Sequence, residues 1–166
     1  MKKRDLISLN NALSALEGRQ FAVKFSYFMA KNKVMIKDEF AALDEVRKPS
    51  AEYVAFDTKR AEMAMEFADK DEAGKPKIEN NNFIITEKVD EFRKALDALK
   101  ETNSKVISAY EKQIKDFEEL LDEEINFQGP KIDLKDIPPT IESSFLEVLI
   151  TADLLIEDAP ELKVVK

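Results

Sequence analysis

The chain has 166 residues, 44% of them hydrophobic and 36% charged, proportions that suit one folded domain and are too apolar for a disordered tail. The absence of Cys and His excludes disulfide frameworks, thiol nucleophiles, Ser-His-Asp triads and Cys/His zinc sites. With 3 Gly, 6 Pro and no Trp, the chain lacks the turn formers of a sandwich or barrel, which turns roughly every 8 to 12 residues.

A mainly α protein is therefore predicted. The net charge of −8 argues against coating a nucleic-acid backbone, and no apolar run approaches the roughly 18 residues of a membrane span. Residues 1–50 carry ten basic and six acidic side chains, whereas 51–125 carry twelve and twenty. A basic end thus faces an acidic body, a pattern of solvated helix faces that can also steer head-to-tail docking. Met1-Lys2-Lys3-Arg4 is similar to the start of a signal peptide, but Asn10-Asn11 ends the apolar run too early, so a cytoplasmic protein is expected.

Leu6, Leu9, Leu13 and Leu16 repeat at helical spacing between Asp5, a candidate N-cap, and Gly18, predicting a short amphipathic helix over 5–17. Phe21, Phe25, Phe28 and Met35, broadened by Ile36, Phe40, Leu43 and Val46, continue in register to Tyr53, Phe56, Met63 and Phe67. This predicts a long helix over 19–70, kinked or broken where Pro49 removes a hydrogen bond. A polar connector over 71–86 follows, with a small hairpin around Asn80-Asn81 and Thr86 as the next N-cap.

Over 87–125 the apolar positions alternate three and four apart in a heptad seam that includes Leu96, Leu99, Val106, Tyr110 and Phe117, interrupted by Asn103 and Gln113. A helix of that length would extend on the order of 58 Å and needs a long partner. The expected fold is a long antiparallel, coiled-coil-like helical hairpin with short N- and C-terminal helices, at most a small β element, and a single domain over 1–166. Over 126–166, Gly129-Pro130 breaks the helix, Lys131 to Leu134 suggests an edge strand, and Ser143 to Ile156 an apolar helix before a loose tail.

Chemistry is sparsely signalled. Asp69, Asp71 and Gly74 open like a calcium loop, but the twelfth position is Asn80 and cannot supply the bidentate carboxylate. The three Gly stand apart at 18, 74 and 129, so no phosphate loop is present. No catalytic residue, metal or cofactor is expected, and a protein without enzymatic activity is the reading. Asn103 and Gln113 are read as register-fixing polar residues in the seam. Lys24, Tyr27 and Lys31, next to Asn32, form the best candidate for recognising an anion, since a ring between two ammonium groups can stack a base and hold a phosphate.

The string Lys24-Phe25-Ser26-Tyr27-Phe28-Met29-Ala30-Lys31-Asn32, the acidic helix after it and Lys70-Asp71-Glu72-Ala73-Gly74-Lys75-Pro76 resemble a group of small helical proteins, without an assigned activity, encoded by tailed bacteriophages. The likeness extends through the heptad helix into Ile132 to Ile156. It implies a viral origin and a location in the host bacterial cytoplasm or in the virion, and it supplies no site residues. Two functions follow as expectations. One is a structural or interaction protein that binds itself or a phage or host protein. The other is a protein that sequesters a small anionic ligand, such as a host defence nucleotide signal, near Lys24, Tyr27, Lys31 and Asn32. No membrane partner is expected.

Overall fold

The computed structural model describes residues 1–156; the tail expected after Ile156 lies outside the described residues. The protein is mainly α. Its elements in chain order are α1 (Lys3–Ala15), α2 (Val23–Arg47), α3 (Ala51–Phe67), β1 (Ile78–Glu79), β2 (Asn82–Phe83), α4 (Val89–Thr102), α5 (Ser104–Leu121), β3 (Ile132–Asp133), α6 (Ser143–Thr151) and β4 (Leu155–Ile156). The sequence reads as one domain; the described chain gathers into two compact units, unit 1 from Met1–Val46 and the stretch beginning at Phe117, unit 2 from Arg47–Asp116.

Unit 1 holds the larger core. Leu6, Leu9 and Leu13 of α1 are buried as their spacing requires. Asp5 does not cap α1. It lies within the first turn, and its carboxylate accepts the Lys2 backbone N–H at 2.8 Å, the reciprocal half of a capping box. On α2, Phe25, Phe28, Asn32, Ile36 and Leu43 are buried. Met35, expected in this stripe, is exposed, because Asn32 and Ile36 occupy the centre of the inward face at 100° per residue. Beyond α5, the Lys3 N–H donates to Glu123 O and the Ile125 N–H to Met1 O. Lys2 and Arg4 pair with Asp122, and Lys3 with Glu123. The basic N-terminus therefore meets acidic side chains within unit 1.

α6 ends at Thr151, short of the expected Ile156. The Leu154 N–H donates to Leu149 O and the Asp153 N–H to Ile150 O, with Asp153 at a φ of 56°. This is a Schellman end, in which an Asp takes the left-handed position and the two buried leucines make the accompanying apolar contact. The chain after it pairs in parallel with β3, Ile132 opposite Leu155, so the predicted edge strand at Ile132 exists. α1 packs on α6.

Two predicted long helices are each divided. Pro49 produces a break, with Ser50 Oγ accepting the Tyr53 N–H at 3.2 Å to start α3. The expected helix over 19–70 is thus α2 and α3, two separate elements. The helix expected over 87–125 is interrupted at Asn103, whose Nδ2 donates to Leu99 O at 2.8 Å. A side chain that reaches the carbonyl four residues back competes with the helical ladder there.

In unit 2, ring pairs fix an antiparallel arrangement. Phe67 near the end of α3 meets Phe92 near the start of α4 at 5.8 Å, and Tyr53 near the start of α3 meets Tyr110 of α5 at 3.7 Å. The connector forms the expected hairpin, Ile78 opposite Phe83, turned by Asn80 and Asn81 at φ of 48° and 65°. Asn tolerates the left-handed region that such two-residue turns require. Asp71 accepts the Ala73 and Lys75 N–H groups, so its carboxylate shapes the turn.

Thr86 does not cap α4, which begins at Val89. Its hydroxyl donates to Asp69 Oδ2 at 2.6 Å, and its backbone N–H donates to the same carboxylate. Hydrogen bonds from the Thr86 hydroxyl and N–H, and then from the Glu87 N–H, hold the Asp69 carboxyl below the usual aspartate range. A lowered folded-state pKa means the tie is present above the unfolded pKa and lost as pH falls through the folded value. The Thr86 and Glu87 amide resonances should therefore titrate together with a midpoint below about 3.9, the ordinary aspartate value. A midpoint at or above that value would remove Asp69 as the clasp of the connector.

Candidate functional site

The four residues proposed for anion binding do not converge. Lys24, Tyr27 and Lys31 lie on the exposed outer side of α2. Asn32, one residue and 100° further round, is fully buried. Its Nδ2 donates to Phe28 O and to Pro130 O, both at 3.0 Å, and its Oδ1 is buried without a partner among the described residues. Asn32 therefore belongs to the core of unit 1. Lys24 pairs with Asp136, and with Asp133 at 3.5 Å. The Asp136 hydrogen bond is the main influence raising the Lys24 pKa above its usual value. An ammonium so engaged has little charge left for a phosphate.

The seam residues are divided between the units. Leu96, Leu99, Asn103, Val106, Tyr110 and Gln113 are half-buried in unit 2. Phe117 is half-buried against the core of unit 1. Asn103 uses its amide locally, whereas Gln113 Nε2 donates to Lys48 O at 2.8 Å, so it satisfies the backbone beside the Pro49 break. No residue of α4 is buried.

What sequence reasoning missed is a cleft in unit 2 of about 530 Å³, lined by Pro49, Tyr53, Val54, Asp57, Thr58, Ala61, Glu62, Met65, Phe83 and Tyr110. The stacked Tyr53 and Tyr110 rings, 25° apart in plane, form one wall. Val54 and Met65, about half exposed, and Phe83 of β2 supply further apolar surface. A second hollow of about 380 Å³ shares Phe83 and is otherwise lined by Ile85, Val89, Phe92, Arg93 and Leu96. A signal for the first cleft was present. α3 carries Tyr53, Phe56, Met63 and Phe67 on the stripe read as core, and Val54, Ala61 and Met65 on a second face.

The cleft is suited to binding apolar side chains. Its charged lining is Asp57 and Glu62, with no cation, and Asp57 is paired with Arg60 at 2.7 Å. Burial, more than the neighbouring Tyr110 and Asp57, pushes the Tyr53 hydroxyl above its usual value. Among the described residues no helix is long and apolar enough to cross a membrane. Compared with protein-family profiles, curated proteins and solved structures, the chain matches none.

Proposed function

We propose that this is a helical interaction protein with no chemistry of its own, that it self-associates, and that unit 2 carries the contact. The observation that supports this is burial. In all of Arg47–Asp116, only Phe56 and Ala68 are buried, and the seam residues from Leu96 to Gln113 are half-buried. Ordering each residue costs about 1 to 2 kcal/mol, while fully burying a large apolar side chain contributes about 1.5 to 3 kcal/mol. Two buried residues offset little of that cost. A further protein surface over the cleft and seam would complete the core, as in interfaces that resemble a domain core cut in half.

The origin we propose is a tailed bacteriophage, on the resemblance of Lys24 to Asn32 and of the connector. The setting is then the host bacterial cytoplasm or the virion, with a phage or host protein as the other candidate partner. Sequestration of a small anionic ligand has less support, because two of its four residues are otherwise engaged: Asn32 in the core and Lys24 with Asp136 and Asp133.

Sedimentation velocity of the full chain tests the reading. A weight-average mass rising above that of one chain between about 1 and 100 μM is expected, the range of ordinary transient contacts. A single-chain species throughout would sink self-association.

A further inference from the structure

Unit 1 contains a hollow that self-association through unit 2 does not use. It has a volume of about 210 Å³ and opens between the end of α1 and the start of α6. Its walls are Ala12, Leu16, Phe145 and Val148, the Leu and Phe buried in the core and the other two half-buried. Its rim carries two opposite charges, Arg19 after α1 and Glu142 before α6, with Ser144 on the α6 side. Both charges are exposed, and among the described residues neither side chain makes an ion pair or a hydrogen bond, with the other or with any neighbour. Charges close by in sequence do not cancel them. Glu17 is held by Lys33, Asp136 is held by Lys24, and exposed Glu147, one turn beyond Ser144, adds to the negative side.

We propose that this hollow binds a free apolar α-amino acid, with its side chain between α1 and α6, its carboxylate on Arg19 and its ammonium on Glu142. Size selects the side chain. An apolar cavity of about 150 Å³ admits one benzene ring, and sites for drug-sized ligands run from about 300 to 1,000 Å³. A hollow of about 210 Å³ falls between and suits a leucine, methionine or phenylalanine side chain. Charge selects the head group. A guanidinium holds a carboxylate through two parallel hydrogen bonds, and the Glu142 carboxylate accepts from an ammonium. A fatty carboxylate would set its charge against Glu142 with nothing to offset it, and an alkylamine would do the same against Arg19. A ligand bearing both charges on one carbon satisfies both rims. The hollow lies within unit 1, so this binding is independent of self-association through unit 2.

The test is amide NMR of the full chain titrated with L-leucine, L-methionine and L-phenylalanine, each up to about 10 mM. Saturable shifts at Ala15, Arg19, Ser144 and Phe145 are expected from at least one of them, with a Kd between about 10 μM and 1 mM, the weak range open to a ligand of so few atoms. The two charges separate on the ligand. The N-acetyl derivative of the tightest binder, without the ammonium, and its amide, without the carboxylate, should each bind at least about tenfold more weakly. They separate on the protein too. Arg19→Gln should weaken the free amino acid at least about tenfold without weakening its amide, and Glu142→Gln should weaken it as much without weakening the N-acetyl form. Should either variant misfold, the ligand series on the unsubstituted chain still decides. No saturable shift from any of the three, derivatives that bind as tightly as the parent, or substitutions without effect on the parent would each overturn the proposal, and none of these outcomes bears on self-association.

Discussion

Phe25→Ala should destabilise unit 1 by about 3 to 5 kcal/mol, the usual cost of removing a buried Phe. Phe25 is fully buried and is the centre of a ring cluster, with centroids 5.1 Å from Phe21, 6.0 Å from Phe28 and 6.1 Å from Phe145. Such pairs contribute beyond their buried area. Truncation leaves a cavity between α2 and α6, two elements far apart in sequence that cannot both move to fill it. With no Trp in the chain, far-UV circular dichroism during urea unfolding is the readout. A loss under about 1 kcal/mol would mean that the site collapses freely or that the cluster is not the core.

Gly129→Ala should cost about 3 kcal/mol although it adds one methyl group. A Cβ at Gly129 would lie 2.0 Å from Asn32 Oδ1 and 2.7 Å from the Phe127 ring, far inside contact distance. Something must shift, and both neighbours are constrained. Asn32 is fully buried and holds Phe28 O and Pro130 O through its amide, and Phe127 is packed against the unit 1 core. Overpacking costs about 1 to 3 kcal/mol, and unmaking buried hydrogen bonds adds about 1 to 3 kcal/mol per group left unsatisfied. The mechanism has a signature in a double-mutant cycle. In an Asn32→Ala background the Gly129→Ala penalty should shrink by at least about 1 kcal/mol, since the clashing oxygen is gone. Additive penalties would show that the methyl is resisted by something other than Asn32.

These two sites show how far the residues could be read. Phe25 is legible because its neighbours at three and four residues are apolar, and helical geometry alone puts them on one face. Asn32 is not. A polar residue beside Lys31 in a basic stretch reads as surface, and only the approach of Gly129-Pro130 from the far end of the chain makes its position interior. The same holds for Lys24, whose partners Asp133 and Asp136 lie over a hundred residues away. The Schellman end of α6 and the parallel pairing of Leu155 with Ile132 likewise needed the return of the chain, since an Asp in a left-handed position carries little local warning.

Local rules were sufficient for the mainly α class, the Leu face of α1, the break at Pro49, the Asn80-Asn81 turn and the edge strand at Ile132. Each follows from backbone sterics or from side-chain period, which act over a few residues. Tertiary structure decided the rest. It placed Asn32 in a core, committed Lys24 to carboxylates and opened a cleft beside Tyr53 and Tyr110. It also turned Val23, Tyr27 and Val34 outward while Phe25 and Phe28 turned inward. A helix with apolar residues on two faces has two equivalent ways to pack, and only the other elements of the chain choose which face is buried and which is left exposed.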